Sequence, residues 1–203
     1  MHIKKINNSI KYTKAHKKVI NKLKPWSGGY WSLKSEDIMN VKKHIYNYLV
    51  ANQGNKCAYC GNCFNITSKA EIEHIAAKGG NIRKIYPEFT FTPLNLVLAC
   101  HLCNSPNKKG QIRVVETRNK NYKACTFEIV HPYFDNPEDH LEERSTSDEL
   151  GVIYMHKSSK GEKTIQIFKL NEEAQIQARA DNVILKGLPA TYKKKIIEAY
   201  LSK

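Results

Sequence analysis

Two Cys-x-x-Cys pairs, Cys57/Cys60 and Cys100/Cys103, constrain this chain more than any other feature. Four thiols in two tight knuckles can surround one tetrahedral zinc ion, so the metal draws together segments 40 positions apart and loops out the chain between them. Glycine at Gly61 suits the turn that aims backbone amides at the sulfurs. Cys63 follows Cys60 at the same spacing at which Cys60 follows Cys57, which leaves a ligand swap open in the first knuckle. Cys125 reads as a small buried hydrophobe.

Composition narrows the class of partner. The chain has 203 residues and a formal net charge of +14, a balance that favours polyanions such as nucleic acid. Lys and Arg outnumber Asp and Glu by 12 to 2 in residues 1–56 and by 10 to 5 in residues 57–131, but not in residues 132–203, where the ratio is 11 to 12. A phosphate-binding surface is therefore expected in the front two thirds, and a protein-contacting region in the last. The start Met1-His2-Ile3-Lys4-Lys5 does not read as a signal peptide, and no stretch reads as a transmembrane helix. With cysteines in metal-type spacing rather than a disulfide framework, the expected location is cytoplasmic.

Periodicity supplies the frame. Residues 1–25 fit either a helix or a basic arm. Ser35 before Glu36 and Asp37 is an N-cap with acidic first-turn residues. Ile38, Val41, Ile45, Tyr48 and Leu49 then recur at helical spacing, and Gly54 ends the run. Residues 70–75 and 95–99 read as short strands, and Ser105-Pro106 predicts a helix beginning near Asn104. Val152–His156 and Lys163–Phe168 alternate about Ser158-Ser-Lys-Gly161 as a hairpin. Asn171 is placed to cap a helix over 172–186 stopped by Gly187, and Leu188-Pro189 leads into a last helix.

The chemistry lies between the knuckles. Phosphodiester hydrolysis needs an activated water and neutralised phosphoryl charge. His74 is of the type to activate water. Glu73 and the Asn104 amide oxygen are hard donors suited to Mg²⁺ or Mn²⁺, with Glu71 able to assist. In an ideal strand Glu73 and His74 face opposite sides, so both can serve one site only where the strand bends, bulges or ends. Lys108, Lys109 and Arg113 are expected to meet neighbouring phosphates.

Taken in order, Cys57-x-x-Cys60, Glu73-His74-Ile75, Asn95-Leu-Val-Leu-Ala-Cys100-x-x-Cys103-Asn104 and Lys108-Lys109-Gly110 resemble the HNH endonucleases of the ββα-metal class. The resemblance covers roughly residues 55–112. It implies an α+β fold with a ββα-metal core stapled by a four-cysteine zinc site, His74 as general base, Asn95 orienting that base through its backbone, and Asn104 as metal ligand. Glu73 stands where Asp is commoner in the family, and Asn104 where His is frequent.

Downstream, His131-Pro-Tyr-Phe-Asp-Asn-Pro137, Glu138-Asp139-His140-Leu141, Gly151-Val-Ile and the stretch Leu170-Asn171 to Arg179 resemble HNH proteins of retron-associated and Septu-like anti-phage systems. Such proteins act beside an ABC-type or AAA-type ATPase, so that partner is implied; equally, His131-Pro132 can simply begin a turn packed on the core. The expected organisation is a basic arm and helix over 1–54, a nuclease core over 55–131, and a hairpin with helices over 132–203. DNA is the expected substrate. RNA cleavage, or a zinc-stapled nucleic-acid-binding module without turnover, is the alternative.

Overall fold

The computed structural model describes residues 2–64, 68–79, 85–144, 153–187 and 189–201. Gly151, Val152 and Leu188, which the sequence reading used, lie outside the described residues. Residues 2–13 run without regular structure into α1 (Lys14–Asn21), where the Thr13 hydroxyl accepts from the His16 amide at 3.2 Å. The N-terminal stretch is not a free arm. Ile3, Ile6 and Ile10 are buried in the common core, and the Ile6 amide donates to Pro132 O at 2.8 Å.

Helix α2 (Glu36–Gln53) forms where periodicity places it. Ile38, Val41, Ile45 and Leu49 are all buried, and each is worth about 1.5–3 kcal/mol in area removed from water. Gly54, at φ +65°, ends the helix in the left-handed conformation. Ser35 makes no side-chain capping hydrogen bond.

The centre is an antiparallel pair, β1 (Ala70–His74) with β2 (Leu96–Cys100), in a register that sets Ala70 opposite Cys100 and His74 opposite Leu96. Every residue of β2 is buried. The Gln53 side chain ties α2 to this strand, donating to Leu98 O at 2.6 Å and accepting from Leu98 N at 2.9 Å.

After β2 comes a single helical turn, α3 (His101–Asn104). The helix expected to begin near Asn104 is thus displaced: it ends there. Ser105 precedes a proline and is held extended (ψ 157°), which stops the helix that began at His101. Turns then carry the chain through Lys108 and Lys109 to Gly110, whose φ is +42°.

Two small ribbons follow, β3 (Val115–Thr117) with β4 (Thr126–Phe127), and, after α4 (Pro137–His140), β5 (Leu141–Arg144) with β6 (Ile153–His156). The expected hairpin is corrected here. Residues 153–156 are a strand, but they pair with β5, and residues 163–168 belong to α5 (Ser159–Phe168). Ser158 caps α5 through Gly161 N, and Thr164, Ile167 and Phe168 fall on one buried helical face. That burial outweighs the local alternation. Gly161 leaves room for the His140 carbonyl, which a Cβ would strike.

Helices α6 (Glu173–Gly187) and α7 (Ala190–Leu201) close the chain. Asn171 does not cap α6; its amide bonds both Tyr154 N and Tyr154 O, at 2.9 and 2.8 Å. Gln175 and Arg179 of α6 are buried, with Gln175 accepting from Asn62 Nδ2 at 2.9 Å beside the first knuckle.

Candidate active site and metal centre

The four knuckle sulfurs of Cys57, Cys60, Cys100 and Cys103 lie within 4.8 Å of one another, and all four residues are buried. Tetrahedral Zn–S bonds of about 2.3 Å place sulfurs about 3.8 Å apart, and Cys60 and Cys100 stand at 3.9 Å. The cysteines are free thiols rather than disulfides. Hydrogen bonding among them pulls the Cys100 thiol strongly down, with Cys103 the largest cause, while the same interactions push Cys60 and Cys103 up. One thiolate therefore resists the ionisation of its neighbours, as expected of a ligand set that needs a cation at its centre. The cluster can hold a zinc ion.

Backbone contacts shape the first knuckle. The Gly61 amide donates to Cys57 O at 3.0 Å, and Gly61 adopts φ +72° with its α-carbon so near His2 that a Cβ would sit 2.6 Å from the His2 carbonyl carbon. Ala58 N donates to Leu98 O at 3.0 Å, fastening the knuckle to β2. Cys63, half-buried, lies outside the sulfur cluster. Cys125 is buried among Asn119 backbone groups.

A cleft of about 310 Å³ is lined by Trp31, Glu73, His74, Lys78, Asn104 and Gln111, among others. Strand β1 ends at His74, so Glu73 and His74 reach the same cleft although they are adjacent in sequence.

His74 is buried and its Nε2 lies 3.0 Å from Thr90 O. A carbonyl only accepts, so Nε2 carries the hydrogen and Nδ1 keeps its lone pair. Burial, helped by the charges of Lys78 and Lys109, pushes the imidazole pKa down to about 3, so the ring is neutral. Trp31 meets it edge-on at 4.6 Å.

The carbonyl that holds the imidazole belongs to Thr90, not to Asn95. Asn95 instead locks the backbone just beyond the base. Its carbonyl accepts from Ile75 N at 2.9 Å, and its amide brackets Ala76, accepting from N at 2.6 Å and donating to O at 3.1 Å. Nδ2 also donates to Phe89 O at 3.0 Å, and Tyr122 donates to Oδ1 at 2.9 Å. His131, buried and held neutral by a pKa pushed down to about 3, lies 3.0 Å from the Tyr122 oxygen and accepts from Tyr133 N through Nδ1. His131 thus packs in the core and reaches Asn95 through one hydroxyl.

Glu73 is buried and ion-paired with Lys109, whose ammonium also donates to His74 O at 2.8 Å. Burial pushes the Glu73 pKa up, and Lys109 pulls it part of the way back. Asn104 donates through Nδ2 to Glu71 at 2.7 Å, and His101 lies 2.9 Å from the other Glu71 oxygen. Glu71 therefore orients Asn104 and leaves Asn104 Oδ1 as the ligand atom. Glu73 and Asn104 together offer carboxylate and amide oxygens of the kind that hold Mg²⁺ or Mn²⁺.

The basic residues differ from expectation. Lys108 is buried and donates to Phe168 O at 2.8 Å; Lys109 is fully buried beneath Glu73. Both are engaged inside the protein and present no ammonium to a phosphate. Arg113 is exposed. The sequence reading missed Lys78, Trp31 and Thr90. Lys78, four residues past His74, carried a proximity signal; Thr90 and Trp31 meet the base only through the tertiary fold.

Among the described residues no helix is long and apolar enough to cross a membrane. No protein-family model and no solved structure matches the chain. Three curated proteins do. The chain is 32% identical over 162 residues to Septu protein PtuB of Bacillus mycoides, covering 72% of this chain and 51% of that protein. It is 31% identical over 90 residues to protein ea31 of Escherichia phage lambda, covering 44% and 25%. It is 27% identical over 156 residues, covering 71% and 75%, to a Vibrio cholerae protein named as the proposed HNH endonuclease of retron Vc95. The chain thus spans about half the length of the Septu protein and a quarter of the phage protein. With its four-cysteine cluster and α+β architecture, it resembles HNH-type nucleases of the Septu and retron kind.

Proposed function

We propose that this chain is a metal-dependent HNH endonuclease that hydrolyses DNA, working in anti-phage defence beside an ATPase partner. The observation that carries the reading is the His74 imidazole: neutral, its Nε2 hydrogen committed to Thr90, and its Nδ1 lone pair left for a water proton in a cleft shared with Glu73 and Asn104. The Septu and retron relatives support the nuclease reading and the defence setting.

In the reaction His74 takes a proton as the water oxygen bonds to phosphorus, and the opposite phosphorus–oxygen bond breaks with its electron pair leaving on oxygen. Asn95 fixes the peptide after the base, so the ring cannot swing away from the water. Glu73 and Asn104 Oδ1 would hold Mg²⁺ or Mn²⁺, which when bound supplies positive charge for the phosphoryl oxygens and the leaving group.

One observation favours the alternative, a zinc-stapled binding module: the Glu73 carboxylate already has a cation partner in Lys109. A single experiment separates the two. Wild-type protein with Mg²⁺ or Mn²⁺ should cut DNA, His74→Ala should not, and both should retain zinc and melt cooperatively. Undiminished cutting by His74→Ala would sink the mechanism; binding without cutting, with the partner ATPase added, would leave the module. RNA offered in the same assay decides the substrate.

A further inference from the structure

The cleft needs a positive rim to hold a polyanion, yet the lysines expected to supply it, Lys108 and Lys109, are buried. Two other lysines stand in their place. Lys78 is half-buried and lines the cleft with Glu73 and His74; its ammonium makes one hydrogen bond, to Gly79 O at 3.1 Å. Lys42 reaches across from α2, donating to Trp31 O at 3.3 Å and lying 5.5 Å from the centroid of the Trp31 ring. That ring lines the cleft together with Lys78 and meets His74 edge-on, so the Lys42 ammonium lies against the cleft wall to which Lys78 also belongs.

Their electrostatic setting is unbalanced. Among the described residues no carboxylate forms an ion pair with Lys42 or Lys78, and the carboxylate within reach, Glu73, is paired with Lys109. Burial lowers the pKa of Lys78; Glu73 opposes this, and the like charge of Lys42 adds to it. Two like charges gathered at a half-buried rim with no counter-charge of their own are relieved by an anion. Lysine ammoniums serve that purpose as mobile point charges rather than as a fixed fork.

We propose that Lys42 and Lys78, set about Trp31, form a phosphate subsite that takes the DNA backbone phosphate next to the one being cut. The subsite rests on the nuclease reading, since it supposes a nucleic-acid strand in the cleft. It gives Trp31 a role as well: its indole is the wall between the base and the flanking nucleotide, held in place by the Lys42 contacts.

The test is equilibrium binding of a labelled DNA duplex by the His74→Ala protein, which removes cleavage, followed by fluorescence anisotropy across a salt series with Mn²⁺ present. Adding Lys78→Gln should weaken binding about tenfold and reduce the slope of log Kd against log salt by about one, and adding Lys42→Gln as well should reduce it further. Lys78→Arg should restore the slope. Zinc content and melting temperature report whether each variant is folded, and Lys78→Gln alone suffices if Lys42→Gln disturbs Trp31. An unchanged slope in Lys78→Gln, with wild-type protein still cutting DNA, would overturn the subsite and leave the nuclease reading standing. Failure of the His74→Ala protein to bind duplex at any salt, with wild type inactive, would overturn both.

Discussion

The four-cysteine cluster and the cleft that holds Glu73 are built on different principles. At the knuckles, four buried sulfurs gather within 4.8 Å of one another, and the buried Arg179 guanidinium senses the charge of Cys60. In the cleft, the one buried carboxylate already has an internal cation, Lys109, anchored by the His74 carbonyl. The knuckle cluster could hold a zinc ion. In the cleft Lys109 offsets the buried charge of Glu73 only in part, so a divalent ion bound there would add to a lysine or compete with it. The two clusters thus differ in how closely a protein cation meets their anionic atoms.

The largest expected effect is at the knuckles. Cys100→Ser should lose zinc and with it the fold of the core, because structural zinc contributes binding free energy of about 10–16 kcal/mol directly to folding. Zinc analysis with a circular dichroism melt measures this; a cooperative, zinc-free melt at the wild-type temperature would refute the four-cysteine assignment. The next largest is in the cleft. Lys109→Met leaves Glu73 buried and unpaired, which should cost about 3–5 kcal/mol. Mn²⁺ should then raise the melting temperature of the variant more than that of wild type, since the metal supplies the missing charge. Equal shifts in the two proteins would mean that Glu73 does not bind the ion.

A smaller effect is expected behind the site. Tyr122→Phe removes one of two donors to Asn95 Oδ1, which keeps Ala76 N, and leaves His131 Nε2 buried without its acceptor, which costs about 1–3 kcal/mol. Cutting should fall while DNA affinity holds, a split that a purely structural role would not produce. The smallest is an acid effect at Glu143, whose partner His2 packs against Gly61 of the first knuckle. Burial raises the Glu143 carboxyl, but hydrogen bonds from His2 and Tyr154 outweigh it and hold the pKa at about 2. Because the folded value lies below the unfolded one of about 4.3, its stabilisation is full above that pH and fades as pH falls toward 2. Glu143→Gln should flatten this part of the acid-unfolding curve; an unaltered curve would show that Glu143 does not contribute.

Legibility followed the range of the interactions. Helix α2 and the knuckles were readable because a cap residue, a period, a glycine stop and a fixed spacing are local facts. Helix α5 was misread because Lys163–Phe168 carries two periods at once, alternating and helical, and only the partners of Thr164, Ile167 and Phe168 decide between them. Ser105-Pro106 offered a start and a stop with equal force. In the cleft, Glu73, His74 and Asn104 lie together as their order suggested, whereas the carbonyl of Thr90 and the burial of Lys109 arise from chain segments that meet only in the fold. A lysine with no exposed surface is rare enough that sequence favours the opposite assignment.

The Gln53 side chain has a last consequence. Strand β2 has one neighbour, β1, so its far edge would offer a row of apolar residues and open backbone groups to any other extended chain. Gln53 imitates a peptide there, giving and taking one hydrogen bond at Leu98, and Ala58 N adds a second donor to the same carbonyl. The edge is closed by a side chain. Gln53→Ala would therefore leave Leu98 N buried without its acceptor, a cost of about 1–3 kcal/mol that a lowered melting temperature would report.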